Sequence, residues 1–105
     1  MEAEYKLKIT SAAAGDLDAI DTYITDTLFA PVAAQDLMAD FDKSFHSLCD
    51  APYRCELSWN VTLREKGYRR LVVNKYVGLN LVDEIKKLVI IARVFYGAMD
   101  YEKYV

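Results

Sequence analysis

The hydrophobic period of this chain changes once, and that change constrains the fold more than any other feature. Before Pro52 the apolar residues recur at helical spacing, and after Gly67 they fall into strand-like runs that alternate with period two. In the first half, Ala13, Leu17, Ile20, Ile24 and Leu28 make one stripe with Asp16, Asp18, Asp21 and Asp26 between them, and Thr10-Ser11 offers an N-cap. Phe29-Ala30-Pro31 breaks the stripe. Proline suits the first turn of a second helix, where its missing N–H would have no partner, and Ala34, Leu37, Met38, Phe41, Phe45 and Leu48 mark the face of that helix.

Strand signals bracket this helical hairpin. Tyr5, Leu7 and Ile9 alternate with Lys6 and Lys8, and three further runs, Arg69 to Asn74, Tyr76 to Val82 and Leu88 to Tyr96, are joined by turns near Lys75 and at Asp83-Glu84-Ile85-Lys86. Short connections make the last three strands antiparallel neighbours. The expected fold is α+β, in the order β-α-α-β-β-β, with an antiparallel-rich sheet and the hairpin packed on one face. The stretch from Pro52 to Lys66 lacks a sustained period and reads as an irregular connection with room for one short strand, Trp59 acting as a core plug.

At 105 residues and 53% hydrophobic content the chain can bury one core, so residues 1–105 are expected to form a single domain. The first residues carry charges where a secretory leader would be apolar, and the longest aliphatic run, Leu88 to Ala92, falls well short of the roughly 18 residues of a membrane span. A cytoplasmic protein with no membrane contact is the expectation. Cys49, Cys55 and His46 offer too few ligands at the wrong spacing for zinc, so no metal site is expected, the thiols read as buried or bystander groups and His46 as a solvated or hydrogen-bonded helix residue.

Net charge is −3, which argues against a general nucleic-acid binder, but its distribution is uneven. Residues 1–52 hold 3 basic and 10 acidic side chains, whereas residues 53–105 hold 10 basic and 6 acidic. The halves should do different work. Strand parity sharpens this: if Leu71, Val73, Val77, Leu79 and Leu81 point at the helices, along with Leu88, Ile90 and Val94, then Arg70 and Arg93 share the open sheet face. Arg64, Lys66 and Arg69 sit just before it or at its start. Such a cluster suits a phosphodiester, which guanidinium groups grip in a fork; the same residues also serve as ordinary solubility and edge-protecting charges.

Gly67-Tyr68-Arg69-Arg70-Leu71-Val72-Val73, then Tyr76, Val82-Asp83-Glu84 and Val89-Ile90-Ile91-Ala92-Arg93-Val94-Phe95-Tyr96-Gly97 with Asp100-Tyr101, resemble the carboxy-terminal half of RelE/ParE superfamily toxins of type II toxin-antitoxin systems. The order of elements extends the resemblance over the whole chain. It departs at Tyr96-Gly97-Ala98-Met99, where many members have His-Gly-Arg, so a tyrosine replaces the histidine and a basic residue is lost.

The resemblance implies a cognate antitoxin as partner and growth arrest as outcome. It leaves two targets open. In a ribosome-dependent mRNA endoribonuclease, Arg70 and Arg93 would hold the scissile phosphate and Tyr96 would act as an acid-base or stacking group. Arg64, Lys66 and Arg69 would bind the RNA, and neither metal nor cofactor would be needed. In a ParE-like inhibitor of DNA gyrase, the same residues would form a binding surface without catalysis, and a decayed toxin would bind its antitoxin alone. The acidic hairpin and lost basic residue favour gyrase, but the Arg-Arg strand with Tyr96 puts cleavage ahead, and a ribosome-dependent endoribonuclease is the expectation. Tyr96 and Arg93 have opposite parity, so they can share a site only if the strand bulges or ends there.

Overall fold

The computed structural model describes residues 4–99. Asp100 and Tyr101 of the quoted motif lie outside the described residues. Strand β1 (Lys6–Ile9) leads through Thr10 into α1 (Ser11–Thr22), whose start is fixed twice over. The Thr10 hydroxyl accepts from the Ala13 amide at 3.1 Å and donates to the Ala92 carbonyl at 2.9 Å, so the cap residue also ties the helix to the last strand. Helix α1 ends in a π-helical turn, Tyr23–Thr27, and Phe29 takes a positive φ of 53° to reverse the chain into α2 (Pro31–Ser47), with Pro31 in its first turn as expected.

Strands β2 (Arg69–Val73), β3 (Tyr76–Asp83) and β4 (Leu88–Tyr96) match the three strand-like runs within a residue at each end. The sheet order is β1-β4-β3-β2, with β1 parallel to β4 and the other pairs antiparallel. The two turns sit where the sequence put them. Asn74 takes the positive φ of 53° in the β2–β3 hairpin, and the Asp83 carboxylate accepts from the Lys86 amide at 3.0 Å between β3 and β4.

The helical hairpin seals one sheet face. Ala13, Leu37, Phe41, Phe45 and Leu48 meet Leu71, Val73, Val89, Ile91 and Val94 in one apolar cluster. Gly78 makes this approach possible, since a Cβ there would stand 3.2 Å from Cε1 of Phe45. Cys49 and Cys55 are buried free thiols, with burial pushing both above the ordinary thiol range. No helix among the described residues is long and apolar enough to cross a membrane.

Three expectations need correction. Val77 and Leu79 point away from the helices and pack with Leu63, Phe95 and Tyr68 on the other face, because the two-residue hairpin sets Val73 opposite Tyr76 and so puts odd residues of β2 with even residues of β3. In β4 the helix-facing residues are Val89 and Ile91, not Leu88 and Ile90; the register then skips from Asn80–Ile91 to Leu79–Arg93, and this bulge at Ala92 restores Val94 to the helical face. The connection after Pro52 holds a short helix, α3 (Val61–Glu65), which Asn60 caps by accepting from the Leu63 amide at 3.0 Å. Its single strand-like feature is the bridge between Leu57 and Arg69.

Candidate functional site

A groove of about 370 Å³ opens at the β2–β3 hairpin end of the sheet, where Trp59, Arg70 and Val72 reach it from the outer face, Lys75 from the turn, and Tyr76 and Tyr96 from positions that share the parity of the helical face. It is assembled from distant parts of the chain, with Trp59 coming from the loop before α3. Arg70 comes from β2, Lys75 from the hairpin turn, and Tyr96 from the end of β4, where the register sets it opposite Tyr76. The two tyrosine rings meet edge to face with centroids 5.6 Å apart, and Tyr76 meets Phe41 of the core at 5.7 Å in the same manner. Burial, reinforced by the neighbouring Tyr96 and Tyr23 hydroxyls, pushes the Tyr76 hydroxyl above its ordinary value, so it is a neutral donor at physiological pH. Gly97 closes this end: its amide donates to the Lys75 carbonyl at 2.8 Å, and a Cβ there would stand 3.1 Å from that oxygen.

Trp59 is not a core plug. Its side chain is 63% exposed and lies over the Arg70 guanidinium, whose carbon is 3.4 Å from the ring centroid. Glu56 holds both partners, accepting from Trp59 Nε1 at 3.2 Å and pairing with Arg70 at 3.4 Å, while its backbone carbonyl accepts from the Arg70 amide at 3.0 Å. Arg70 is therefore buried, at 8% exposure, beneath a tryptophan rather than presented on an open sheet. The missed partner was Trp59, and the only signal in sequence was a large aromatic residue in a segment without hydrophobic period.

Arg93 stands elsewhere. The register places it opposite Leu79, itself opposite Arg70, so the two backbones lie two strand spacings apart, about 10 Å. Its guanidinium is held by Asp16 of α1 through bonds of 2.8 and 3.0 Å, and Asp16 also accepts from the Val94 amide at 2.9 Å. Arg93 does not line the groove, so Arg70 and Tyr96 share a site and Arg93 does not join them. The ion pair with Asp16 of α1, which holds the guanidinium, accounts for this.

Arg69 points away from Arg70. Its guanidinium donates to the backbone carbonyls of Tyr53 at 3.2 Å and Cys55 at 2.6 Å and stacks on the Tyr53 ring, which pins the loop before α3. Arg64 and Lys66 are exposed on α3 and at its C-cap, off the groove. His46 bonds within α2 to the Asp42 carbonyl at 2.9 Å, a hydrogen-bonded helix residue as read from sequence.

The ParE toxin family of the parDE type II toxin-antitoxin system has a family model that matches residues 7–101. The chain belongs to this family. Its fold is shared with a chain of the chromosomal ParDE system of Pseudomonas aeruginosa, with a TM-score of 0.72 at 23% identity over 90% of this chain and 98% of that one. A chain of the Mycobacterium tuberculosis RelBE2 toxin-antitoxin complex follows with a TM-score of 0.64 at 21% identity, covering 91% of this chain and 94% of that one. No curated protein matches by sequence. The protein is thus a RelE/ParE-like toxin of type II toxin-antitoxin systems, with the four-stranded mixed sheet and helical hairpin of that fold.

Proposed function

We propose that this toxin acts by binding, as a ParE-like inhibitor of DNA gyrase with no catalysis of its own, and that a cognate antitoxin protein restrains it. The observation that carries this reading is the state of the two arginines. Phosphodiester cleavage needs cationic donors converging on the point where negative charge develops. Here Arg93 is matched to Asp16 outside the groove and Arg70 is stacked under Trp59 beside Glu56, so neither stands as half of a phosphate clamp. Membership in the ParE branch by sequence supports the same target.

A ribosome-dependent endoribonuclease is the second reading, favoured by one feature: Arg70, Lys75 and Tyr96 line a common groove. The two readings separate in one experiment. Purified toxin is added to a gyrase supercoiling reaction and, in parallel, to ribosomes translating a defined mRNA. Inhibited supercoiling with intact mRNA is the expected result, and cut mRNA with unaffected gyrase would overturn it. The antitoxin part rests on the family and on the source of the two similar folds, both from toxin-antitoxin systems. Co-expression with the product of an adjacent small gene should relieve growth arrest and yield a stable complex.

A further inference from the structure

We infer that Arg69 is a positioning residue: from the helical side of β2 it fixes residues 53–58 along the sheet edge and so sets Glu56 and Trp59 over Arg70; this deepens, and rests on, the reading of a toxin that acts by binding. In sequence Arg69 reads as an RNA contact beside Arg70, and the register separates the pair. Arg69 shares the parity of Leu71 and Val73, which join the core under the hairpin, and Arg70 has the opposite parity. Two neighbouring arginines thus reach one segment from opposite sides of the sheet. Arg70 meets it through Glu56 and Trp59, and Arg69 through its backbone.

Tyr53 and Arg54 tie the start of the segment to Glu84 and to Ser47. Nearer Glu56 the ties run to β2. The Arg70 amide donates to the Glu56 carbonyl at 3.0 Å and the Ser58 amide to the Tyr68 carbonyl at 2.8 Å, on either side of the single bridge between Leu57 and Arg69. The Arg69 guanidinium adds bonds of 3.2 Å to the Tyr53 carbonyl and 2.6 Å to the Cys55 carbonyl and stacks on the Tyr53 ring. Bonds from a charged donor are roughly twice as strong as neutral ones, so this side chain is a principal part of the tether. With the Cys55 side chain in the core and its carbonyl on Arg69, the peptide that delivers Glu56 to the edge is held on both sides. The Arg69 backbone is fixed in turn by the fully buried Asn80, whose Nδ2 donates to its carbonyl at 3.2 Å. Leu57, Trp59 and Val61 all stay exposed, so the tether presents side chains more than it buries them.

Trp59 is the chain's single tryptophan, so its near-ultraviolet dichroism and its quenching by acrylamide read this segment. Arg69→Met keeps the apolar stem and removes the donors, and Arg69→Lys returns a charged donor. Arg69→Met should lose most of the Trp59 dichroic band and be quenched more readily, and Arg69→Lys should recover most of both signals. Asp16→Ala, which breaks a different brace, should leave them at wild type. Growth arrest gives the functional arm, since it reads the toxin whatever its target. Arg69→Met and Trp59→Ala should each weaken it roughly tenfold, and the double variant no more than about threefold beyond Trp59→Ala, because a residue that acts through Trp59 then has nothing left to position. Unchanged Trp59 signals in Arg69→Met, the same change in Asp16→Ala, or a double variant weakened by the product of the single losses would overturn the inference; the product with intact Trp59 signals is the result of a direct RNA contact. If Arg69→Met fails to fold, Arg69→Gln, which keeps one amide donor, must move the signals in the same direction, and unchanged signals there overturn the inference as well. A supercoiling assay keeps the two proposals apart. Wild-type toxin that spares gyrase overturns the function while the Trp59 measurements still decide Arg69; inhibited gyrase with unmoved Trp59 signals overturns the role of Arg69 and leaves the function standing.

Discussion

The two faces of the sheet are built from the same strands and finished in opposite ways. On the helical face, Phe41, Phe45, Leu48, Val89 and Ile91 are all at most 1% exposed, and Asn80, opposite Ile91, is the polar side chain buried beside them. On the outer face only Leu63, Val77, Leu79 and Phe95 form a buried cluster, and next to it an arginine is buried while a tryptophan is left in solvent. A charge placed under an aromatic ring costs desolvation that an aliphatic side chain would avoid, and a tryptophan left largely in solvent buries little apolar area for the fold. On the proposed function the first face serves stability and the second contact, so substitutions on the two should separate stability from toxicity.

Phe45→Ala is the harshest test of that separation. Phe45 is 1% exposed and seated on Gly78, so truncation removes a ring from the centre of the core and should cost about 3–5 kcal/mol in urea unfolding. Trp59→Ala is its counterpart. Loss of an exposed ring and one cation-π contact should change stability by about 1 kcal/mol or less while growth arrest weakens by roughly tenfold or more. Equal losses of stability in the two variants would erase the distinction between the faces.

The helical face was legible in the sequence because period alone describes it: Phe41, Phe45 and Leu48 belong to a stripe that only burial explains, and the three strands follow from alternation and turn residues. The outer face was legible only in part. Arg70 and Tyr96 were both singled out and do share a groove, but Trp59 was misread because a lone aromatic in an aperiodic segment carries no information about which side of it meets solvent. Arg93 was placed on the outer face by parity, and its register opposite Leu79 keeps it there, but parity could not show the ion pair that holds its guanidinium away from the groove. Its partner Asp16 sits 77 positions away, in a helix whose acidic residues looked like a uniform solvated face.

Asp16 tests this reassignment at moderate scale. It braces both the Arg93 guanidinium and the Val94 amide on the stretch of β4 that β1 does not cover, so Asp16→Ala should cost about 1–3 kcal/mol, the range for hydrogen bonds to a charged group. Arg93→Ala leaves the backbone bond in place and should cost less. Toxicity measured by growth arrest should survive Arg93→Ala within severalfold if Arg93 is a brace, whereas the loss of a transition-state donor would lower it by roughly a hundredfold.

The smallest expected effect lies where both faces end, at the β3–β4 turn. The Glu84 carboxylate accepts from the hydroxyls of Tyr5, at 2.6 Å, and Tyr53, and pairs with Lys87 at 3.1 Å, so one exposed side chain ties the residue before β1, the loop after α2 and the turn together. The Tyr5 hydroxyl, followed by Tyr53 and Lys87, holds the Glu84 carboxyl down to about 2, below its value in the unfolded chain. Its stabilisation is therefore complete above the ordinary carboxylate range and drains away as pH falls through that range toward 2. Tyr53 works in the other direction: its hydrogen bond to Glu84 pushes its hydroxyl up to about 12, so this part of the tie is complete below the ordinary phenol value and is lost as pH rises toward 12. Replacing Glu84 with Gln should lower the melting temperature slightly between about pH 5 and 9, and the difference from wild type should shrink at both extremes. Raised salt should narrow it further, since Glu84 and Tyr53 are exposed and screened. A gap that stays constant from acid to alkali would mean that the carboxylate holds the turn by shape alone, without its charge.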